Sequence, residues 1–340
     1  MKRTILYVVL AFIVAPIFVS CYQSHKKKLD LAYALVESRP DSALALMKHI
    51  DQEGLSKEEM AKYALTYYIA QDKSGLDLDN DSLIRIAYDW YEGHQEDSLY
   101  VLCLNYMGKF YLLVDSMEQA KSCLEKAYFI SDSLHKMNVK RLVLDKLIEV
   151  EEQLEPYKAL RYAKDMLKMY DSMANVTIYN KVAARLRLGE NFFYVGSLQH
   201  ALEEERKAYR MAMKAGDSNL LSYVRQNLAS TFEEMGEKDS CLYYARLAYD
   251  LNAANRFSCL LTFASAYISV DSLNQAFSLL NQALPKTAED RYSVFYFQSQ
   301  AAMKAQDFKS AKSFSDSAYH YLEEMYRTAL QGKAAYYTSF

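Results

Sequence analysis

Between Val101 and Ile130 the chain reads VLCLNYMGKFYLLVDSMEQAKSCLEKAYFI, and its apolar residues recur three and four places apart rather than on alternate positions. That period marks one face of a helix, not of a strand. The run breaks once, at the polar step Asp115-Ser116, and then resumes. Two helices joined by a tight polar turn are the predicted element. Small residues recur at set places inside it. With Val101 as position 1, Gly108 stands at 8, Tyr111 at 11, Ala120 at 20, Leu124 at 24 and Ala127 at 27. A start at Val182 puts Gly189, Phe192, Ala201 and Ala208 at positions 8, 11, 20 and 27, and a start at Ser222 puts Ala229, Phe232, Cys241 and Ala248 there. A start at Phe257 gives Ala264, Tyr267, Ala276 and Ala283. Looser copies follow Tyr292, where Phe308 and Ala311 fall in place, and precede Tyr170, where Leu147, Ala159 and Ala163 do.

This spacing closely resembles the tetratricopeptide repeat, whose units of about 34 residues carry small or apolar side chains at these positions. The resemblance implies an all-α fold: an α-solenoid of helical hairpins wound into a right-handed superhelix. It covers most of residues 29–325, about seven to eight hairpins, and leaves 326–340 as a C-terminal helix or tail. The consensus Trp is absent from position 4 of every unit. The physical logic is close approach. Two helices that cross tightly need Gly or Ala at the crossing, because interiors pack at crystal density. A single hairpin cannot cover its own apolar face, but its neighbour in the array can.

Composition agrees. Nine Gly and four Pro in 340 residues are few for a β-rich chain, which spends both on turns. The net charge is −3 with both signs interspersed, so the basic excess of a nucleic-acid binder is missing. Thirty Tyr fill space between helices while keeping a hydroxyl for water or a partner.

The step Asp-Ser appears about ten times, against about two for a shuffled chain. Asp115 and Asp271 fall at the turn inside a unit, Asp239 just before a second helix, and Asp132, Asp171 and Asp217 between units. The reading is punctuation: a short acid or hydroxyl caps the orphan amides of a new helix. Asp316 falls inside a helix and has no such role.

The amino terminus reads as an address. Lys2 and Arg3 precede an apolar run from Ile5 to Val19, shorter than a spanning helix needs, and the run ends in FVSC. Small residues before a Cys resemble the lipobox of bacterial lipoproteins, although Phe18 stands where that family prefers Leu. The resemblance implies a signal peptide over 1–20, a lipidated Cys21 and a linker over 21–28. The alternative is an uncleaved signal anchor, since HKKK after the run blurs the charge asymmetry that sets orientation. Lipoproteins on the surface of Bacteroidetes often carry acids soon after the Cys. The segment YQSHKKK has none, which implies a periplasm-facing anchor in the cell envelope.

Catalytic chemistry is not written here. The six His share no His-x-x-x-His spacing, no Cys-x-x-Cys occurs, and no Gly-rich phosphate loop or nucleophile elbow appears. No enzyme, metal or cofactor is expected. Cys103, Cys123, Cys241 and Cys259 read as buried free thiols, with disulfides open to an exported chain. The charge-rich stretches EVEEQLE and ALEEERKAYR read as solvated helix faces.

Tetratricopeptide proteins bind proteins or peptides in a groove lined by the first helix of each unit. By that resemblance, positions 2, 5, 9 and 12 face the groove. Here they include Asn105, Lys109, Leu186, Glu190, Phe193 and Tyr223, then Gln226, Ser230, Glu233, Tyr296 and Gln300. The set is mixed in charge and polarity. Asn105 and Lys109 hold the residue types of the known carboxylate clamp at swapped positions, so that mode is unsupported. The expected function is a membrane-anchored scaffold for an unidentified protein or peptide. The alternative is the sensory module of a Bacteroidetes signalling protein lacking its C-terminal output segment.

Overall fold

The structure is a computed structural model, and it describes residues 26–338 apart from 77, 79–80, 96–97, 135–136, 175 and 252. Cys21 and the apolar leader lie outside the described residues. Among the described residues there are helices and no strand. No helix among them is long and apolar enough to cross a membrane. The chain divides after Lys146 into two compact units.

The first unit begins with α1 (26–35), followed by α2 (Pro40–Met47), α3 (Lys57–Lys73), α4 (Ser82–Tyr91), α5 (Ser98–Leu113) and α6 (Met117–Ser133). From α2 on, each helix packs against the next, and α3 also touches α5. Helix α7 (Met137–Leu154) starts in this unit and ends in the second. The second unit continues with α8 (Pro156–Ser172), α9 (Ile178–Tyr194), α10 (Leu198–Ala215), α11 (Ser218–Glu234) and α12 (Lys238–Tyr249). It closes with α13 (Arg256–Ser269), α14 (Leu273–Leu280), α15 (Ala288–Lys304) and α16 (Phe308–Thr338). From α8 on, sequential neighbours pack together, and α9, α11, α13 and α15 also touch one another in series. Alternate helices therefore form one layer, and their partners α10, α12, α14 and α16 stand behind them.

The small residues do sit at the crossings. Ala120, Ala127, Ala201, Ala208, Ala245 and Ala276 are fully buried, and so is Cys241. Gly108 leaves room for Leu124 of the partner helix. Larger side chains such as Leu228, Phe232, Phe263 and Leu280 fill the core of the second unit around them. Each such burial is worth roughly 1.5–3 kcal/mol of transfer free energy. The helix expected to carry Ala283 stops earlier, at Leu280. Pro285 explains this, since its ring clashes with the carbonyl four residues back and biases Leu284 away from helical geometry.

The turns inside the hairpins share one geometry. Gly75 and Asp115 in the first unit, and Gly196, Gly236, Asp271 and Gln306 in the second, all have φ between 51° and 75°. In each case the next residue's N–H bonds back to a carbonyl five residues earlier: Leu76 to Gln71, Ser116 to Tyr111, Ser197 to Phe192, Glu237 to Phe232, Ser272 to Tyr267 and Asp307 to Ala302, at 2.7–3.0 Å. This is the Schellman close of a helix, which places one residue in the left-handed region.

Two of the Asp-Ser steps thus end a helix rather than start one. Asp115 and Asp271 hold the left-handed position that Gly196 and Gly236 hold elsewhere. Ser116 and Ser272, although they stand at the N-caps of α6 and α14, make no side-chain cap bond. Asp132 and Asp171 lie inside α6 and α8. Asp217 caps as expected, accepting from Leu220 N at 3.0 Å. Asp81 takes an N-cap place, but its carboxylate binds Arg85 instead. Most of the clean caps use other residues: Ser56 with Glu59 and Thr287 with Asp290 form capping boxes, and Thr177 accepts from Asn180.

Candidate functional site

The layer of alternate helices in the second unit carries a polar ladder. Glu152 of α7 accepts from Asn191 Nδ2 of α9 at 2.9 Å, and Arg187 lies 3.5 Å from the same carboxylate. Glu190 of α9 accepts from Asn227 Nδ2 of α11 at 2.9 Å. Glu233 of α11 accepts from Ser265 Oγ of α13 at 2.6 Å. Gln226 is bonded to Ser258 of α13 and accepts from Asn255 Nδ2 at 2.9 Å. Each rung ties one first helix to the next, about one repeat away in sequence.

Beside the second rung is a pocket of about 260 Å³, lined by Glu190, Phe193, Tyr194, Glu205, Asn227, Ser230 and Thr231. Helices α9 and α11 supply its walls, and α10 supplies Glu205. That side chain is 1% exposed. Its Oε1 accepts from Thr231 Oγ1 at 2.8 Å, while its Oε2 receives no hydrogen bond from the described residues. Burial is the main force on this carboxyl, and the charge of Glu190 adds to it; against the Thr231 bond they push its pKa up to about 7. Gly189 makes the arrangement possible, because a Cβ there would stand 3.1 Å from Glu205 Cγ.

The residues expected in the groove do not all share one environment. Glu190, Phe193 and Ser230 line the pocket together. Tyr223, Tyr296 and Gln300 are exposed on α11 and α15, and Gln226 and Glu233 are held in the ladder. Leu186 and Asn105 leave the surface: both are buried, Leu186 within the core of the second unit. Lys109 of the first unit is paired with Asp72 on α3.

The chain matches no family model and no curated protein. Solved structures do resemble it. The apo form of RapI shares 14% identity, with a TM-score of 0.67 over 88% of this chain and 86% of that one. NprR in complex with its cognate peptide NprX shares 15%, with a TM-score of 0.59 over 85% and 86%. A signal transduction ATPase with a tetratricopeptide repeat sensor, PH0952 from Pyrococcus horikoshii, shares 13%, with a TM-score of 0.62 over 90% of this chain and 47% of that one. The fold is tetratricopeptide-like.

Within a tetratricopeptide-like repeat the unexpected residue is Glu205. It stands at position 24, where the other units have Leu124, Ala245 and Leu280. The stretch ALEEERKAYR is therefore not wholly solvated: Glu203, Arg206 and Lys207 are exposed, and Glu205 is buried. In EVEEQLE, Glu151 is buried as well. The signal was present in the register, as an acid at a core position facing Gly189.

Proposed function

We propose that this protein is a non-enzymatic scaffold that binds a protein or peptide along the first helices of its array, and that acyl chains on Cys21 tether it to a membrane of the cell envelope. The observation that carries the groove reading is the pocket beside the ladder, where two carboxyls, an amide and two aromatic side chains open on the first-helix layer. Phe193 and Tyr194 supply area, and the polar atoms supply orientation, as peptide-binding surfaces require. The neighbour NprR is described with a bound peptide, which adds support by likeness of fold. The tether rests on the run that ends in FVSC.

Photo-cross-linking tests the groove. A benzophenone amino acid replaces Tyr223, exposed on the first-helix layer, or Tyr243, exposed on α12 behind it. Adducts with a discrete protein or peptide are expected from position 223 and not from 243; the reverse pattern refutes the groove. Fatty-acid labelling tests the tether, and label retained in Cys21→Ala refutes it.

A further inference from the structure

A groove of this kind selects its guest by the chemistry of its subsites, and the pocket between α9, α10 and α11 has a distinct one. We infer that it is a subsite for a basic side chain, lysine or arginine, of the bound peptide, with Glu205 at its floor and Glu190 at its rim.

Glu205 is a costly residue for its place. A carboxyl that is 1% exposed sits at a position where an aliphatic residue would serve packing, and one of its oxygens has no hydrogen bond from the described residues. Such a group costs stability unless something satisfies it. It also lines an opening of about 260 Å³ rather than a closed core. The groups around that opening favour a cation. Glu190 is a second acid, Asn227 and Ser230 are small polar residues, and no basic residue is among the described residues that line the pocket. Arg187 lies 3.6 Å from Glu190 Oε2 and 3.5 Å from Glu152 Oε1, so its charge is shared between two carboxylates. Phe193 and Tyr194 give the methylenes of a long side chain an apolar wall and a charged head an aromatic face. The charge of Glu190 makes ionising Glu205 costlier, and one ammonium or guanidinium between the two carboxyls would offset that cost. An anionic or purely apolar guest would leave Glu205 worse off.

The subsite rests on the groove reading, and the test separates the two. The full chain, carrying carboxyl-labelled glutamate, is titrated with Nα-acetyl-lysine methylamide and with its norleucine counterpart, and the Glu205 carbon signal is assigned from Glu205→Gln. A saturable shift with the lysine compound alone is expected; no shift, or an equal shift with norleucine, overturns the subsite. In parallel, nonapeptide mixtures with one fixed position (Lys, norleucine or Glu) are captured on the protein. Retention of the Lys mixture is expected to fall about tenfold or more in Glu205→Gln and less in Glu190→Gln, while the norleucine mixture is unchanged. Unchanged Lys preference in both variants overturns the subsite but spares the groove. No peptide capture together with a lysine-specific shift overturns the groove and keeps the pocket as a cation site. Glu190 is only half-buried, so its variant stays informative if Glu205→Gln folds poorly.

Discussion

Leu124 fills the space that a side chain on Gly108 would need. A Cβ placed on Gly108 would lie 2.6 Å from Leu124 Cγ and 2.9 Å from its Cδ2, and Leu124 is fully buried. Replacing Gly108 by Ala gains about 1 kcal/mol of helix propensity but overfills the crossing, which typically costs about 1–3 kcal/mol. The expected result is a net loss near 1 kcal/mol in urea unfolding, roughly the difference between those two effects. Leu124→Ala alone should cost about 2–5 kcal/mol, and distinctly less in the Gly108→Ala background, because the new methyl then fills part of the hole. Strict additivity in the double mutant would show that the two do not compete for space.

The left-handed turns predict a gain. Gln306 has φ of 58° at the close of α15, where a side chain is strained and Gly is not. Gln306→Gly is expected to stabilise the chain by about 1 kcal/mol, read as a rise in thermal midpoint. Gly196→Ala and Gly236→Ala, at the equivalent turns, should lower it. Asp271→Gly should gain less than Gln306→Gly, because Asp271 tolerates the conformation better and also lies 3.0 Å from Lys304. A fall in midpoint for Gln306→Gly would contradict the strain.

These two cases mark what was legible in the sequence. Gly108, Ala120, Leu124 and Ala127 are read from spacing alone because close crossing leaves a residue-size signature, and the tetratricopeptide-like fold follows. Asp115 and Asp271 mislead because Asp suits both a helix start and a left-handed helix end, and only backbone dihedrals separate the two. Glu190, Phe193 and Ser230, at positions 9 and 12, line the pocket. Leu186 and Asn105, both at position 5, are buried, because rotation of a helix by a fraction of a turn carries a position from the surface into the core. Glu205 was hidden by composition: beside Glu203, Glu204, Arg206 and Lys207 it looks like one more charge on a wet face.

The thiols predict slow chemistry. Among the described residues Cys103, Cys123, Cys241 and Cys259 form no disulfide, three of them are buried, and burial pushes the thiol of Cys123 up to about 11 and that of Cys241 up to about 12. Reactive cysteines are thiolates, and these two stay protonated at pH 8. A Cys21→Ala chain in native buffer should react with Ellman's reagent slowly, and all four should react at once in urea. Rapid stoichiometric reaction without denaturant would mean that the helix crossings around Cys241 open readily.

Glu205 makes folding depend on pH in a direction opposite to most carboxylates. Its pKa rises from the ordinary 4.5 in the unfolded chain to about 7 in the fold, chiefly through burial. Below 4.5 both states hold the proton, and the residue imposes no penalty. Between 4.5 and about 7 the unfolded chain releases its proton while the folded one keeps it, so stability drains away as pH rises; above that window the loss is complete. The full penalty is about 3 kcal/mol, since every tenfold change in proton affinity between the two states is worth roughly 1.4 kcal/mol. Glu205→Gln keeps the shape and the bond from Thr231 but cannot ionise. Its stability relative to the natural chain is therefore expected to climb between pH 5 and pH 8 by an amount approaching that figure, measured by urea unfolding at both ends. Glu190→Gln removes a charge that disfavours ionisation of Glu205 and should narrow the window from above. A Glu205→Gln chain whose advantage stays constant across the range would show that this carboxyl is ionised at no cost, and that the pocket has no unmet charge to offer a ligand.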